Sequence, residues 1–367
     1  MKTLSSYVGG RWHEAESEFA PLVDPSTEAE IARVSSRGID IQEVLSYARE
    51  GGAALRAMTF AERGSLLKGI SMVLREHRNE LLDLSRQNNG ATKSDGSFDV
   101  DGAGGALAFY AHLSKGLGDR KALADGEQFA MSKTGELLGH HVWVPRQGVA
   151  VMINAFNFPA WGLAEKLACA LLAGMPVIAK PATATALVSQ RWAEIVIESG
   201  ILPAGAMQLI CGSTGDLLDH LGPQDVLAFT GSAATSVVLR QKIQQQIGAA
   251  RFNVEADSLN AAIWGPDTRV DLPTGELFLR EVVREITQKA GQKCTATRRI
   301  FVPASMIDRV QEDLGERLSR VPVGDPARKD VRMGPLATKQ QLDDFRAGVA
   351  RLEEAGAKVV WGEKLSL

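Results

Sequence analysis

The chain has 367 residues, 45% of them hydrophobic and 23% charged, enough to bury a substantial core in roughly two domains of about 100–200 residues each. A formal net charge of −3 is too small to point to nucleic acid or an acidic surface as a partner. The 36 glycines are scattered, which suits tight loops in an α/β fold and excludes a collagen-like or low-complexity chain. Three cysteines, Cys169, Cys211 and Cys294, show no CxxC spacing and so make neither a disulfide framework nor a metal knuckle. No sustained apolar segment opens the chain, and the longest apolar region, residues 148–179, is broken by Pro159, Glu165 and Lys166. The expectation is a soluble, cytoplasmic protein with no membrane or nucleic-acid partner and no metal.

In chain order, Val8-Gly9-Gly10-Arg11 reads as a small hairpin. Thr59-Phe60-Ala61-Glu62 has the form of a capping box, and Leu66, Leu67, Ile70, Val73 and Leu74 then recur at helical spacing. A further helix is predicted over residues 101–117. The stretch 119–146, rich in glycine, lysine and histidine, interrupts the pattern as a protruding hairpin would. From residue 148 short apolar runs at 148–153, 176–180, 207–211 and 225–229 alternate with helix-length segments. Continuous apolar strands separated in this way imply parallel strands covered on both faces, a doubly wound sheet with its ligand beyond the strands' carboxyl ends. A second α/β unit begins near residue 255, and no internal repeat is present.

Several residues could carry chemistry. Cys294 lies in Gly291-Gln292-Lys293-Cys294-Thr295-Ala296, a glycine-bearing loop past a charged helical stretch, where a thiol can be exposed as a nucleophile must be. Taken alone, a cysteine is more often a small buried hydrophobe, and Cys169 and Cys211 are assigned that role. Glu255 ends a short apolar run. A carboxylate leaving a strand there can point into a cleft, lose water and gain the proton affinity of a general base, although a lone glutamate is commonly just solvated. In Asn154-Ala155-Phe156-Asn157-Phe158-Pro159, an asparagine amide could face a developing oxyanion or simply make a local turn. Lys180-Pro181-Ala182-Thr183 and Phe229-Thr230-Gly231-Ser232 follow strands, where a lysine can meet a ribose and helix N–H groups a pyrophosphate. No GxGxxG is present, so neither loop alone is specific.

Taken together and in order, INAFNFP, KPAT, LPAG, FTGS, VEADSLN, GQKCTA and VGDP resemble the aldehyde dehydrogenase superfamily over essentially the whole chain. The resemblance implies an aldehyde dehydrogenase-like α/β fold. It pairs a doubly wound cofactor domain, residues 1–118 and 147–254, with an oligomerisation hairpin at 119–146 and a second α/β catalytic domain at 255–367. It implies that Cys294 attacks an aldehyde, that Asn157 and the Cys294 backbone N–H hold the oxyanion, and that Glu255 activates water to release the acid from a thioester. Phe156, Lys180, Ala182, Thr183, Gly231 and Ser232 would then line the coenzyme site. The wording of these segments is similar to the branch that oxidises CoA-linked semialdehydes in bacterial phenylacetate or benzoate degradation. Many NAD-preferring members carry a glutamate three residues after the lysine. Thr183 stands there instead, neutral beside a cation, so the charge balance favours NADP over NAD.

One family feature is missing: no Glu-x-Phe-Gly-Pro segment appears before the chain stops at Leu367. The expectation is therefore a C-terminally incomplete catalytic domain, a chain with little activity by itself, and a homodimer only in the full-length form. Two competing readings are a CoA-acylating dehydrogenase, which typically lacks the base that Glu255 would supply, and a non-catalytic remnant. A Cys–His hydrolase is disfavoured because none of the six histidines falls in a motif that would set it beside Cys294.

Overall fold

The computed structural model describes residues 2–245 and 248–362. They form a mixed α/β architecture in two compact units: one made of Met1–Leu22, Ala32–Leu81 and Asp99–Ala256, the other of Val23–Ile31, Leu82–Phe98 and the residues from Asp257 onward.

The first unit is built on a seven-stranded sheet. Its order is Arg251–Ala256, Val226–Gly231, Ala150–Ile153, Val177–Lys180, Met207–Leu209, Ser6–Val8, Arg11–His13. The first five strands run parallel. Ala150–Ile153 is buried at every residue, as expected of an apolar run covered on both faces. The crossovers are made by the helices Trp161–Leu172, Ala186–Glu198 and Ala233–Gln244. From Ala150–Ile153 the chain builds outward through 177–180 and 207–209, then returns to place 226–231 and 251–256 on the other side. The order therefore reverses between Ala150–Ile153 and Val226–Gly231, and a doubly wound sheet opens a ligand crevice at such a reversal. A core of Val151, Ile178, Leu227 and Phe229 from the strands, with Ile210 just past one of them, packs with Val44, Leu45 and Ala48 of the helix Ile41–Ala57.

The local signals fold as their chemistry dictates. Gly9 and Gly10, at φ +58° and +76°, supply the two left-handed positions of a tight hairpin between antiparallel strands, and Val8 pairs with Arg11. Thr59 caps the helix Phe60–Glu76 with both bonds of the capping box in place. The predicted helix over 101–117 starts earlier, as Lys93–Leu117. Thr92 Oγ accepts the Asp95 N–H at 3.2 Å, and that cap outweighs the low helix propensity of Gly96 and Gly102. Residues 119–146 contain the antiparallel pair Leu123–Ala130 and Leu138–Trp143, with an irregularity between Asp125 and Phe129.

The second unit pairs Asn260–Ile263 in parallel with Thr297–Phe301. It adds the helices Pro273–Thr287, Ile307–Ser319 and Lys339–Glu354, with Trp264, Leu279 and Val310 at the centre of its own small core. Among the described residues, no helix is long and apolar enough to cross a membrane.

Two glycines of one helix separate packing from propensity. A β-carbon at Gly102 would lie 2.1 Å from Cε3 of Trp161, whereas one at Gly105 would meet nothing within 4 Å. Gly102→Ala should destabilise the protein by about 1–3 kcal/mol through overpacking. Gly105→Ala should stabilise it by roughly 0.5–1 kcal/mol through helix propensity. Urea unfolding of the two variants checks this, and shifts of the same sign would sink the argument.

Candidate active site

In the first unit the candidate residues collect at the carboxyl ends of adjacent parallel strands. Ala150–Ile153 runs into Asn154 and the Phe156-Asn157 turn, Val177–Lys180 into Ala182 and Thr183, and Val226–Gly231 into Ser232. Glu255 stands near the end of Arg251–Ala256. The Phe156-Asn157 turn is held from outside itself. Thr185 Oγ donates to the Phe156 carbonyl at 2.9 Å, Ser189 Oγ donates to the Pro159 carbonyl at 2.7 Å, and Asn154 N–H donates to the Lys180 carbonyl at 3.0 Å. The helix that follows has no cap of its own. Its first N–H groups, at Ala160 and Trp161, donate to the fully buried carboxylate of Asp99 at 3.2 and 2.8 Å, a charge suited to a helix N-terminus. Asn157 is half-buried beyond this braced turn.

Lys180 is half-buried, and burial pushes its ammonium below the usual lysine range, partly opposed by the neighbouring Cys211. Cys211 is wholly buried, and its thiol is pushed up to about 12 by loss of water. Thr183 Oγ donates to the Gly212 carbonyl at 3.2 Å, so the hydroxyl is tied to the next loop. Ser232 is the N-cap of the helix Ala233–Gln244: its Oγ accepts the Thr235 N–H at 3.2 Å and bonds Thr235 Oγ at 2.9 Å. The cap sets the helix start directly after the strand end at Gly231, where the remaining first-turn N–H groups are an anion site. Asn154, 4% exposed, has neither side-chain polar atom hydrogen-bonded among the described residues. A buried amide of this kind calls for a partner. With the strand-order reversal, the cation Lys180 and the capped helix start, this crevice edge fits a dinucleotide.

Glu255 corrects one expectation. It is exposed rather than desolvated. The reason is topological, because Arg251–Ala256 is the outermost strand of its sheet and is covered on one side only. Thr230, its cross-strand neighbour, donates its hydroxyl to one Glu255 oxygen at 3.3 Å, which orients the carboxylate. Sequence reasoning missed Glu165, on the inner helix Trp161–Leu172. Burial raises its proton affinity, Lys166 opposes that, and the charge of Glu255 adds to it. The two carboxylates are therefore electrostatically linked. The signal was present in the sequence only as a charge interrupting an apolar helix.

In the second unit, Cys294 is exposed on a loop fastened at many points. The helix Pro273–Thr287 ends in a turn where Lys289, Ala290 and Gly291 are all left-handed, at φ 53°, 53° and 71°. For the two residues that are not glycine this costs about 1–2 kcal/mol each, so the turn persists only because its surroundings hold it. Lys293, 3% exposed, donates to Glu285 and Gln288 at 2.5 and 2.8 Å. Gln292 donates to the Lys289 carbonyl at 3.1 Å and accepts the Ala337 N–H at 3.0 Å. Arg298 donates to the Gly291 carbonyl at 2.8 Å, and the Asn260 amide donates to the carbonyls of Cys294 and Ala296. The backbone is held while Cys294 itself stays exposed, an arrangement suited to a nucleophile.

Residues 12–366 match the sequence profile of the aldehyde dehydrogenase family. The chain belongs to that family. It is an NAD(P)-dependent aldehyde dehydrogenase, an oxidoreductase acting on the aldehyde group. It is 47% identical over 360 residues to the 3,4-dehydroadipyl-CoA semialdehyde dehydrogenase of Aromatoleum evansii, an alignment covering 98% of this chain and 70% of that one. Among solved structures it resembles a lactaldehyde dehydrogenase from Escherichia coli at TM-score 0.85 and 25% identity, covering 97% of this chain and 72% of that one. A betaine aldehyde dehydrogenase variant from Staphylococcus aureus in complex with NAD+ shares the fold at TM-score 0.86 and 23% identity, covering 98% and 70%.

Cys169 corrects a second expectation. It is exposed, because the helix Trp161–Leu172 buries Leu163, Ala164, Leu167, Ala168, Leu171 and Leu172 and turns Cys169 outward. Cys211 alone of the three cysteines is buried, as expected. A folded-state affinity raised to about 12 keeps that thiol neutral, and any stability it adds is present below the unfolded thiol range and lost as pH rises towards 12. In native protein at mildly alkaline pH, iodoacetamide should alkylate Cys294 and Cys169, and Cys211 should react only after denaturation. Peptide mass spectrometry reads the three sites, and native labelling of Cys211 would contradict the burial.

Proposed function

We propose that the chain oxidises a CoA-linked semialdehyde of the kind released by aromatic-ring cleavage to the free acid, with NADP as the preferred coenzyme. The observation that carries this reading is the 47% identity to a CoA-semialdehyde dehydrogenase. It is joined to an exposed cysteine on an otherwise immobilised loop and an oriented carboxylate at a strand end.

The Cys294 thiolate attacks the aldehyde carbon, forming a C–S bond while the carbonyl oxygen becomes an alkoxide. The Asn157 amide and the Cys294 backbone N–H donate to that oxygen. Bound coenzyme supplies the hydride acceptor. Once hydride has left the carbon, the C–S linkage is a thioester on Cys294. Glu255 then takes a proton from water, hydroxide adds to the acyl carbon, and the thiolate departs with the acid released. Thr230 holds one Glu255 oxygen so that the other can receive the proton. Lys180 meets the adenosine ribose, and the helix start capped by Ser232 receives the pyrophosphate, with Phe156, Ala182 and Gly231 lining the cleft. Residues 1–118 and 147–254 serve as the coenzyme domain and 255–367 as the catalytic domain. The hairpin at 119–146 exposes Phe129, Leu138, Val142 and Trp143, apolar surface suited to joining two chains as a homodimer.

Glu255→Gln should leave one equivalent of coenzyme reduction in a rapid burst while slowing steady turnover about 10²–10⁴-fold, and Cys294→Ala should abolish the burst. Stopped-flow absorbance measures both, and a native steady state in Glu255→Gln would sink the hydrolytic role. Acid released without added CoA distinguishes hydrolysis from CoA acylation.

Thr183 sits three residues beyond Lys180 without charge, so the 2′-phosphate of NADP meets no repulsion there. Thr183→Glu should move the ratio of kcat/KM values towards NAD by roughly tenfold or more, the effect of about 1.4 kcal/mol or more of charge repulsion. An unchanged ratio would remove Thr183 from the coenzyme site.

A further inference from the structure

Lys293, the residue before Cys294, buries almost its whole side chain, of which 2% is exposed. Its ammonium donates to the Glu285 carboxylate at 2.5 Å and to the Gln288 side-chain carbonyl at 2.8 Å. Glu285 lies near the end of the helix Pro273–Thr287, and Gln288 is the C-cap residue of that helix. Beyond them the chain passes through the left-handed residues Lys289, Ala290 and Gly291. The Lys293 side chain therefore reaches back eight residues to Glu285 and fastens the loop to the helix it has just left. Glu285 keeps 24% of its side chain exposed and also faces Arg284 at 3.6 Å.

The backbone of the same lysine carries the cysteine. Ala296 N–H donates to the Lys293 carbonyl at 3.2 Å, which makes 293–296 a hydrogen-bonded turn with Cys294 as its second residue. Arg298 donates to that carbonyl at 3.4 Å and to the Gly291 carbonyl at 2.8 Å. A shift of Lys293 is thus passed one peptide along to Cys294. Lysine gives up much side-chain freedom when ordered, and its ammonium is strongly hydrated. It stays buried only while its partners hold it. Of the two side chains that accept from it, Gln288 is neutral, and Glu285 supplies the opposite charge. Removing one partner of a buried pair leaves a charge that seeks water.

We infer that Glu285 is a positioning residue for Cys294: through the buried ammonium of Lys293, its carboxylate fixes the turn that presents the Cys294 thiol and N–H to the aldehyde. The inference rests on the reading of Cys294 as the nucleophile. The role needs no contact between Glu285 and the substrate. Its effect is the preorganisation that a displaced nucleophile would forfeit.

The test uses Glu285→Ala, Glu285→Gln, Lys293→Met and the double variant Glu285→Ala/Lys293→Met. Amide hydrogen exchange over residues 289–297 is read by mass spectrometry, with the helix Ile307–Ser319 as the check that the unit is folded. The single-turnover rate of NADP reduction with hexanal and the Kd for NADP are read beside it. Glu285→Ala and Lys293→Met should each speed exchange over 289–297 about tenfold or more. Each should slow single turnover roughly 10–100-fold, the scale expected when a reacting group is misplaced by about an ångström. The Kd for NADP should stay within about twofold, and exchange over 307–319 should stay native. Glu285→Gln, which keeps an acceptor but not the charge, should fall between Glu285→Ala and the unaltered chain. Adding Glu285→Ala to Lys293→Met should change neither exchange nor turnover by more than about twofold, because the carboxylate acts through the ammonium. A carboxylate that only stabilised the helix would go on worsening both. The inference is overturned by a folded Glu285→Ala with native exchange over 289–297 or native turnover, or by a further loss in the double variant. If Glu285→Ala does not fold, native exchange and turnover in Glu285→Gln and Lys293→Met overturn it instead. Cys294→Ala separates the two readings. If it keeps turnover, the nucleophile assignment fails. If it is inactive while Glu285→Ala and Lys293→Met are native, only the positioning role fails.

Discussion

The constraint on which the first unit depends is the burial of a parallel sheet on both faces. Ala150–Ile153 can bury all of its residues only because crossover helices cover each side. A right-handed crossover returns every parallel strand in the same direction. All the strand exits then open at one edge of the sheet, and residues far apart in sequence arrive there together. Asn157, Lys180, Ser232 and Glu255 share that edge for this reason and not because of any local attraction among them. The reversal of order between Ala150–Ile153 and Val226–Gly231 parts the loops there and leaves room for a ligand.

Each unit also steadies its chemistry with buried polar groups that stand apart from it. Asp99 caps the helix after the Phe156-Asn157 turn. Lys293, Glu285 and Gln288 tie down the cysteine loop. Burying such charges is costly unless they are paired and hydrogen-bonded. Here each is engaged with a backbone N–H or an opposite charge close to a candidate residue. The strain of Lys289 and Ala290 lies in the same place, where a fixed backbone is of most value to an exposed thiol.

Exposure separates the three cysteines in a way their local sequence could not. Cys211 leaves a central strand and is sealed beneath its neighbours. Cys169 rides on an apolar helix yet faces outward, since helical periodicity turns one residue in three or four away from the core. Cys294 is exposed because its loop is held by side chains from several elements rather than by packing of the cysteine itself.

The sequence by itself determined the strand and helix alternation, the hairpin at Gly9-Gly10, the capping box at Thr59 and the family. These depend on period, turn chemistry and ordered motifs, all of which are local or additive along the chain. Only the tertiary structure decided that Arg251–Ala256 is an outermost strand, which leaves Glu255 exposed instead of desolvated. It also decided that Glu165 feels the charge of Glu255, and that residues 23–31 and 82–98 fold with the second unit. Burial and electrostatic coupling depend on which distant segments pack together, and no window of sequence contains that information. Cys294 could be singled out from its motif, but what holds its loop in place could be seen only once Asn260 and Ala337 had come together around it.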